Sequence, residues 1–464
     1  MIVVFVLAEV LLLAGGFALD QPLFGAALAG ALVFLIIAYR HSAAAWLLVW
    51  LASPFSVETR IPGGHALYLP AEPMIALALL AWGCRALESG SIRIPRSGLH
   101  VPLAALAAAA LLSALFSPFA SLGIKAWVAA AGYVAFGYLY WFLNPREAAD
   151  LKRWAPWVVG FSALWGLYGT VRVLAEGVSL RHAYGAARPF FTEHGAYGAY
   201  LAMTLPLALL LTVERRGRAQ ALYAAASLAI TLGILFSLTR AAWVSLALVL
   251  PLTAVLWAWW RRRALKPLAV VAALGATVFI VLWGSGSGER LSRHAESIIH
   301  AGDVSNLERV NRWMAATEMV RDRPVLGVGL AAYPGMYPVY RRKLVLTELA
   351  YQHMGPHSEL FRLLSEMGIV GFLAAAWFLG AAAILGFRVF RRSADPRARL
   401  LSLALLAGLG TYVVHALFRT YLDLEKVAIP FWASLGMIAA MGREFQEAGA
   451  RPSIRVSPGE TSAV

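Results

Sequence analysis

Apolar runs set the possible folds of this chain, because about fourteen of them follow one another and most approach the length of a bilayer span. A helix needs about 20 mostly apolar residues to cross the hydrocarbon core of a membrane. Charged residues make up only 14% of the sequence and the mean hydropathy is +0.68, whereas soluble proteins carry about 25% charged residues. The pattern predicts an all-α, polytopic membrane protein with about 12–14 transmembrane helices and disfavours a soluble helical bundle.

The predicted spans divide the sequence into four parts. Spans 1–11 lie within residues 1–283, a long extracytoplasmic loop covers 284–356, spans 12–14 lie within 357–442, and 443–464 form a tail. The last fifteen residues are rich in Pro, Ser and Gly, which is typical of a disordered segment. The fourteen spans are predicted near 2–19, 22–39, 42–56, 70–87, 101–117, 125–143, 154–175, 193–213, 220–238, 240–260, 266–283, 357–387, 398–418 and 425–442.

Positive charges between the spans predict the orientation. With both termini inside, the inner connections contain 22 of the 40 Lys and Arg residues and the short outer connections contain eight. Because cytoplasmic connections carry the excess of Lys and Arg, both termini are predicted to be cytoplasmic and the long loop extracytoplasmic. This clustering accounts for the net charge of +15 without a nucleic-acid partner. The single cysteine, Cys84, leaves no disulfide framework and no cysteine metal site.

The long loop carries its own helix signals. Ser305-Asn306-Leu307-Glu308 has the form of a capping box, and apolar residues follow it at helical spacing. Pro324 ends this pattern, and Gly327-Val328-Gly329 is typical of a turn. We therefore expect an amphipathic helix, held at both ends, that lies on the outer membrane surface or covers a cavity.

Three residues at the predicted outer ends of spans could carry chemistry. Arg188 precedes span 8, Arg240 begins span 10 and His357 begins span 12. All three spans run inward, so their N-termini present unpaired amide N–H groups and positive dipole ends to the outer surface. Arginines beside such ends are a natural receptor for phosphate or pyrophosphate. A histidine there tends to remain neutral and available as a base, although Glu359 opposes this.

Each candidate also has a purely structural interpretation. An arginine at a span boundary is often a membrane anchor, and a lone interfacial histidine is often only a helix-start residue. His353 is an alternative base, and Glu366 either lines a cavity or pairs with a neighbouring helix or with Arg362. Further candidates near the same surface are Arg172, Arg181, His182 and Glu193. We find no P-loop and no paired-carboxylate metal motif, so we predict neither a cofactor nor a metal site.

Four stretches give the chain a resemblance to a known family. They are RPFFTEHGAYGAYLAMTLPL, SLTRAAW, ERVNRWMAATEMVRDRPVLGVGLAAYPGMY and HSELFRLLSEMGIVGF, and together they cover about residues 185–375. In this order they resemble the O-antigen ligase and O-antigen polymerase superfamily of bacterial envelope glycosyltransferases. The third stretch, with Arg four residues before Trp and then Asp-Arg-Pro-Val-Leu-Gly-Val-Gly, is the most specific.

The resemblance implies a donor, an acceptor and residue roles. The donor would be a glycan on undecaprenyl pyrophosphate at the outer face of the bacterial inner membrane, with the site facing the periplasm. The acceptor would be lipid A–core or another lipid-linked glycan. The resemblance also implies that Arg188 and Arg240 hold the pyrophosphate and that His357 is the base for the acceptor hydroxyl. The supporting residues are Arg309, Glu359, Glu193 and His353.

The chemistry of such a transfer fits these residue types. Displacing pyrophosphate from an anomeric carbon needs positive charge at the leaving group and a base for the incoming hydroxyl. Arginines and helix ends can supply that charge without a metal, and a direct displacement inverts the anomeric centre. We therefore predict a metal-independent, inverting glycosyltransferase, and favour a ligase over a polymerase. A transporter or flippase of a lipid-linked or anionic substrate is the alternative from another class.

Overall fold

A computed structural model of the chain describes residues 22–61, 65–90, 94–262, 304–341 and 355–450. Helices occur at twelve of the fourteen predicted spans, and the spans at 2–19 and 266–283 lie outside the described residues. The described helices are α1 (Pro22–Arg40), α2 (Ser42–Ala52), α3 (Ala71–Glu88), α4 (His100–Leu115), α5 (Ala120–Leu143), α6 (Pro145–Ala149), α7 (Leu151–Glu176), α8 (Leu180–Gly185), α9 (His194–Glu214), α10 (Gly217–Phe236), α11 (Arg240–Arg261), α12 (Val304–Asp322), α13 (Tyr333–Tyr340), α14 (Glu359–Arg392), α15 (Pro396–Ala416) and α16 (Glu425–Ala450).

Seven of the described helices are long and apolar enough to cross a membrane, which confirms the predicted class of fold. They are α5, α7, α9, α10, α11, α14 and α15. Shorter apolar helices lie at three further predicted spans, over Gly25–Arg40, Ser42–Phe55 and His100–Leu115. The connection between α2 and α3 forms an antiparallel hairpin of β1 (Val57–Ile61) and β2 (His65–Leu69), which the sequence analysis did not predict. The last helix extends to Ala450, past the predicted end at residue 442.

Helix α9 lies at the centre of the transmembrane part. It packs against α7, α10, α11, α15 and α16. Of the most apolar 18-residue stretch of α9, 94% is buried, compared with 28% of the corresponding stretches of α10 and α11. An apolar helix that is buried on all sides is surrounded by other helices, whereas an apolar helix that is buried on one side faces lipid with its other side. The N-terminus of α9 is therefore fixed by protein neighbours on every side.

The predicted loop helix is present as α12, which begins at Val304, one residue before the predicted N-cap Ser305, and ends at Asp322, just before Pro324. It packs against α13 through a small apolar cluster that includes Ala316, Met319 and Tyr333. It also packs against the beginning of α14. The described part of the loop is thus attached to the helical bundle, and the rest of the predicted loop lies outside the described residues.

Helix α14 is interrupted at Gly368, which has non-helical backbone angles (φ 62°, ψ −165°). The part after the break, residues 369–392, is long enough by itself to cross a bilayer, which takes about 20 residues. The predicted continuous span at 357–387 is therefore a short helix before the break followed by a spanning helix. A glycine within a helical pattern is usually tolerated, so the break could not be predicted from Gly368 alone.

A loop segment, residues 324–329, fills the break in α14. Breaking a helix frees backbone N–H and C=O groups, which must find partners where water is scarce. Ser113 of α4 supplies one, because its hydroxyl donates to the Glu366 carbonyl at 2.7 Å. The loop segment supplies four more backbone hydrogen bonds: Val328 N–H to Ser365 O (2.8 Å), Gly329 N–H to Glu366 O (3.0 Å), Ile369 N–H to Pro324 O (2.8 Å) and Val370 N–H to Val325 O (3.3 Å).

Replacement of Gly368 by Ala should destabilise the protein by about 1–3 kcal/mol. A Cβ at this position would lie 2.3 Å from the Val325 carbonyl oxygen, and the positive φ disfavours any L side chain. The control is Gly380→Ala in the same helix, where a Cβ would meet nothing within 4 Å. Thermal unfolding of the purified variants in detergent is the measurement. Equal midpoints for Gly368→Ala and wild type would contradict the close contact between residues 324–329 and the break in α14.

Candidate active site

A cavity of about 230 Å³ lies where the first turns of α9 and α11 meet the loop helix α12. Three arginines line it, namely Arg240, Arg309 and Arg419. The rest of the lining is mainly aromatic and aliphatic, and the Tyr184 and His194 rings in it stack with centroids 4.0 Å apart. The volume is below the roughly 300–1,000 Å³ of pockets for drug-sized ligands. The cavity therefore suits a small anionic group and not a whole glycan.

A threonine holds the first turns of α9 and α11 side by side. The hydroxyl of Thr239 donates to the backbone carbonyl of His194 (3.0 Å) and accepts from the hydroxyl of Ser237 (2.9 Å). Gly198 makes room for this contact, because a Cβ there would lie 2.8 Å from the Thr239 side chain. Since Arg240 follows Thr239 directly, these bonds place the arginine beside two helix N-termini, where positive dipole ends favour an anion.

Helix α12 covers the cavity and holds the segment that leads into His357. The indole N–H of Trp313 donates to the Pro356 carbonyl (3.1 Å), and the Trp313 ring stacks on Phe361 of α14 at 5.2 Å. Arg312 donates to the Gly355 carbonyl (3.4 Å). The loop helix covers a cavity, one of the two predicted positions, and its side chains fix the backbone immediately before the candidate base.

A buried ion pair fixes Arg312 itself. Its guanidinium is fully buried and lies 2.9 Å from the Glu308 carboxylate, which also accepts from the Tyr337 hydroxyl at 3.2 Å. The Tyr337 ring lies 4.7 Å from the guanidinium carbon. Removing one partner of a buried ion pair leaves the other charge without compensation, which typically costs about 3–5 kcal/mol. The predicted capping box is wrong, because α12 begins at Val304 and Ser305 lies inside the helix, while Glu308 binds Arg312 and Tyr337.

His357 lies beside the cavity and contacts one of its arginines. Its Nδ1 is 3.2 Å from Nη1 of Arg419, which lines the cavity. The backbone of His357 is in the left-handed region (φ 54°), a conformation that is uncommon for residues other than glycine and costs about 1–3 kcal/mol. The bonds from α12 to the two preceding carbonyls stabilise this conformation.

The surroundings of His357 keep its imidazole neutral, as predicted. Burial and then the charges of Arg419, Arg312 and Arg309 lower the pKa of His357 to about 3. Glu359 was expected to oppose this shift, but its carboxylate binds the Arg362 guanidinium, with one hydrogen bond of 2.9 Å from Nε. The site is thus a neutral histidine among arginines, and neutrality arises from the protein interior and the neighbouring cations.

Glu366 pairs with Arg362, which was one of its predicted alternatives. Arg362 Nη1 lies 3.4 Å from the Glu366 carboxylate, and the backbone N–H of Tyr333 donates to the same carboxylate at 3.2 Å. Glu359 and Glu366 are both buried and share one guanidinium. These contacts join the part of α14 before its break to α13, so both carboxylates have structural partners in the described chain.

Arg188 is exposed, and its side chain is not among those that line the cavity. It lies on the segment between Tyr184 and His194, which do line the cavity. Its backbone carbonyl accepts from the Tyr168 hydroxyl (3.0 Å) and from the guanidinium of Arg172. The second-rank candidate Arg172 therefore holds the segment that bears Arg188. Whether Arg188 binds an anion stays a prediction.

The remaining predicted residues have simpler positions. Glu193 is exposed, precedes α9 and makes no side-chain capping bond. His353 lies outside the described residues. The buried ammonium of Lys426, at the start of α16, donates to the Ser56 carbonyl (2.8 Å) and to the Phe190 carbonyl. Lys426 thereby anchors the segment between Arg188 and α9.

The sequence analysis missed Arg419 as a site residue. Arg419 lies in the turn between α15 and α16, far along the chain from the other candidates. It was counted among the eight cations on the predicted outer side, where Lys and Arg are scarce, and that scarcity was the available signal. Within the described ranges, no group of three His, Cys, Asp or Glu side chains is arranged to hold a metal ion.

Comparison with known proteins gives one family. A search of the curated proteins gave no match. A family model described as O-antigen ligase matches residues 224–376, about a third of the chain. The matched residues include Arg240, Arg309 and His357, whereas Arg188 precedes them. The match supports the predicted resemblance to the O-antigen ligase and polymerase superfamily over residues 224–376.

Proposed function

We propose that this protein is a metal-independent, inverting glycosyltransferase that moves a glycan from undecaprenyl pyrophosphate to an acceptor hydroxyl. The observation that carries the proposal is the cavity, in which Arg240, Arg309 and Arg419 meet two helix N-termini, with His357 in contact with Arg419. The match of residues 224–376 to the O-antigen ligase family model supports glycosyl transfer as the reaction type. Of the acceptors, we favour lipid A–core, which makes the protein an O-antigen ligase of the inner membrane with its site facing the periplasm.

In the proposed mechanism the arginines stabilise the leaving group. As the bond between the anomeric carbon and the diphosphate breaks, negative charge develops on the diphosphate oxygens. Fixed cations in a partly enclosed site stabilise that charge without reorganising during the reaction. Arg240 occupies the first turn of α11, so its guanidinium and the helix dipole act on the same anion. Arg188 is proposed as a further diphosphate ligand from the neighbouring segment.

His357 then accepts the proton of the acceptor hydroxyl. An imidazole with a pKa of about 3 is a weak base toward a free alcohol. The hydroxyl becomes strongly acidic once its oxygen bonds to the anomeric carbon, so a weak base suffices late in the reaction. A bound diphosphate also offsets the charges of Arg419 and Arg309, which would raise the pKa of His357. Donor binding would in this way make His357 a stronger base.

A transfer assay tests the reaction and the acceptor class. Purified protein is incubated with a lipid-linked oligosaccharide, with lipid A–core or a second lipid-linked glycan as acceptor, in the presence of EDTA. We expect one glycan to be added to lipid A–core with inversion of the anomeric centre. A ladder of products on the lipid-linked acceptor would identify a polymerase. Transport of the donor across vesicles without any covalent product would instead support the flippase alternative.

Substitution of the arginines tests the diphosphate site. Arg240→Ala should lower transfer by about 10²–10³-fold, the usual effect of removing one preorganised charge-stabilising group, and Arg188→Ala should also reduce it. The control is Arg321→Ala on α12, because Arg321 is 68% exposed and pairs only with Glu318 among the described residues. Full transfer by Arg240→Ala in protein that inserts normally would remove this residue from the mechanism.

Substitution of His357 and a pH series test the base. His357→Ala should bind the donor normally but lose about 10²–10⁴-fold in transfer rate. In the wild type, kcat/KM should show no inflection from this histidine near pH 6.5, because its pKa in the free protein is about 3. The profile of kcat reports the donor complex, in which the bound diphosphate raises the pKa of His357. Its inflection should therefore lie at a higher pH than the pKa of His357 in the free protein. Unchanged turnover in His357→Ala would shift the role of base to His353 or Glu359.

A further inference from the structure

A second cavity, of about 350 Å³, lies at the opposite ends of the helices that form the candidate active site. Helix α9 runs from His194 at the first cavity to Glu214 at the second, and α11 runs from Arg240 to Arg261. Helices of 21 and 22 residues are about 30 Å long, which is the thickness of the hydrocarbon core. The second cavity therefore lies at the other membrane surface.

The lining of the second cavity is strongly basic. Its charged residues are Arg146, Lys152, Arg215, Arg261 and Arg397 against Asp150 and Glu214, which leaves a net charge of about +3 at neutral pH. These residues come from α6, the start of α7, the ends of α9 and α11 and the start of α15. The cations thus converge from separate elements and are not a single run of charge along one helix.

One arginine of the cavity has a partner, and the others are available to a ligand. Arg261 binds the Glu214 carboxylate through Nε (2.8 Å) and Nη2, and Glu214 also accepts from the Trp257 indole (3.0 Å). Within the part of the chain that the structure describes, the side chains of the other four basic residues make no ion pair and no hydrogen bond. One wall is therefore fixed and neutral, and the rest combines four cations with the single carboxylate of Asp150.

The position of this cavity favours a ligand that belongs to the membrane. Trp157 lies less than two turns from the start of α7, Trp259 lies next to the end of α11, and both are more than half exposed. Exposed tryptophans near helix ends are typical of the level of the lipid headgroups. The anion that is abundant at this depth is the phosphate of an acidic phospholipid, and basic pockets between membrane helices bind such headgroups.

We propose that the second cavity binds the headgroup phosphate of an acidic phospholipid at the membrane surface opposite the candidate active site. Lys152, Arg215 and Arg397 would contact the phosphate oxygens, and the first-turn amides of α7 would contribute, because its N-cap Asp150 makes no side-chain capping bond. The acyl chains would lie along the apolar surfaces of α7 and α11. This site is independent of the proposed transfer reaction.

Lipid binding by matched charge variants tests the proposal. The cavity variant is Lys152→Gln with Arg215→Gln and Arg397→Gln. The control variant is Arg153→Gln with Arg216→Gln and Arg391→Gln, which removes the same charge from exposed residues at the start of α7, after α9 and at the end of α14 that do not line the cavity. Both full-length proteins are purified in a neutral detergent and titrated with phosphatidylglycerol or phosphatidylcholine at fixed salt. Bound lipid is counted by native mass spectrometry, and thermal midpoints without lipid establish that each variant is folded.

We expect the wild type and the control variant to retain phosphatidylglycerol in preference to phosphatidylcholine, and the cavity variant to bind it at least about tenfold more weakly. A second arm replaces the lipid with inorganic phosphate or glycerol phosphate. Binding of these soluble anions to the wild type but not to the cavity variant, at concentrations similar to those of the lipid, would support the phosphate site but assign it to a soluble ligand. An equal loss of lipid in both charge variants would overturn the proposal, because it would show a general effect of surface charge.

Discussion

The hydrogen bonds between the loop segment and the broken helix α14 are the interaction on which the candidate site depends. Gly368 interrupts α14, and residues 324–329 satisfy the backbone groups that the interruption frees. A helix cannot be left broken at the edge of a bilayer without such partners. The segment 324–329 follows α12, so the same bonds attach α12 to the membrane helices. The need to satisfy backbone groups in lipid therefore fixes the position of the helix that covers the cavity.

The position of α12 determines which positive charges surround the cavity. Helix α12 contributes Arg309 to the cavity and Arg312 to the backbone before His357. Arg419 arrives from the turn after α15, and Arg240 from the start of α11. Each of these cations alone is compatible with a membrane anchor. Their convergence around a neutral histidine is what distinguishes a site for an anion from a set of interfacial arginines.

The sequence was sufficient for the helices and insufficient for their contacts. Apolar runs near the length of a bilayer span predicted twelve of the described helices because lipid allows few alternatives to a continuous helix. The loop helix and its end before Pro324 followed from local signals. Arg419 and the break at Gly368 did not, because each depends on segments distant in sequence. The hairpin of β1 and β2 was missed for a different reason, because its strands are short and only partly apolar.

Helix ends alone cannot identify an anion site in a bundle of this kind. Neighbouring helices run in opposite directions, so each membrane surface receives positive helix N-termini, α9 and α11 at one cavity and α7 and α15 at the other. The two cavities differ in their side chains. One combines three arginines with aromatic rings and a neutral histidine beside it, whereas the other combines five cations with two carboxylates and has no histidine in its lining. Only the first has a neutral imidazole in contact with one of its arginines, and this difference is the reason for proposing transfer chemistry at that surface and simple anion binding at the other.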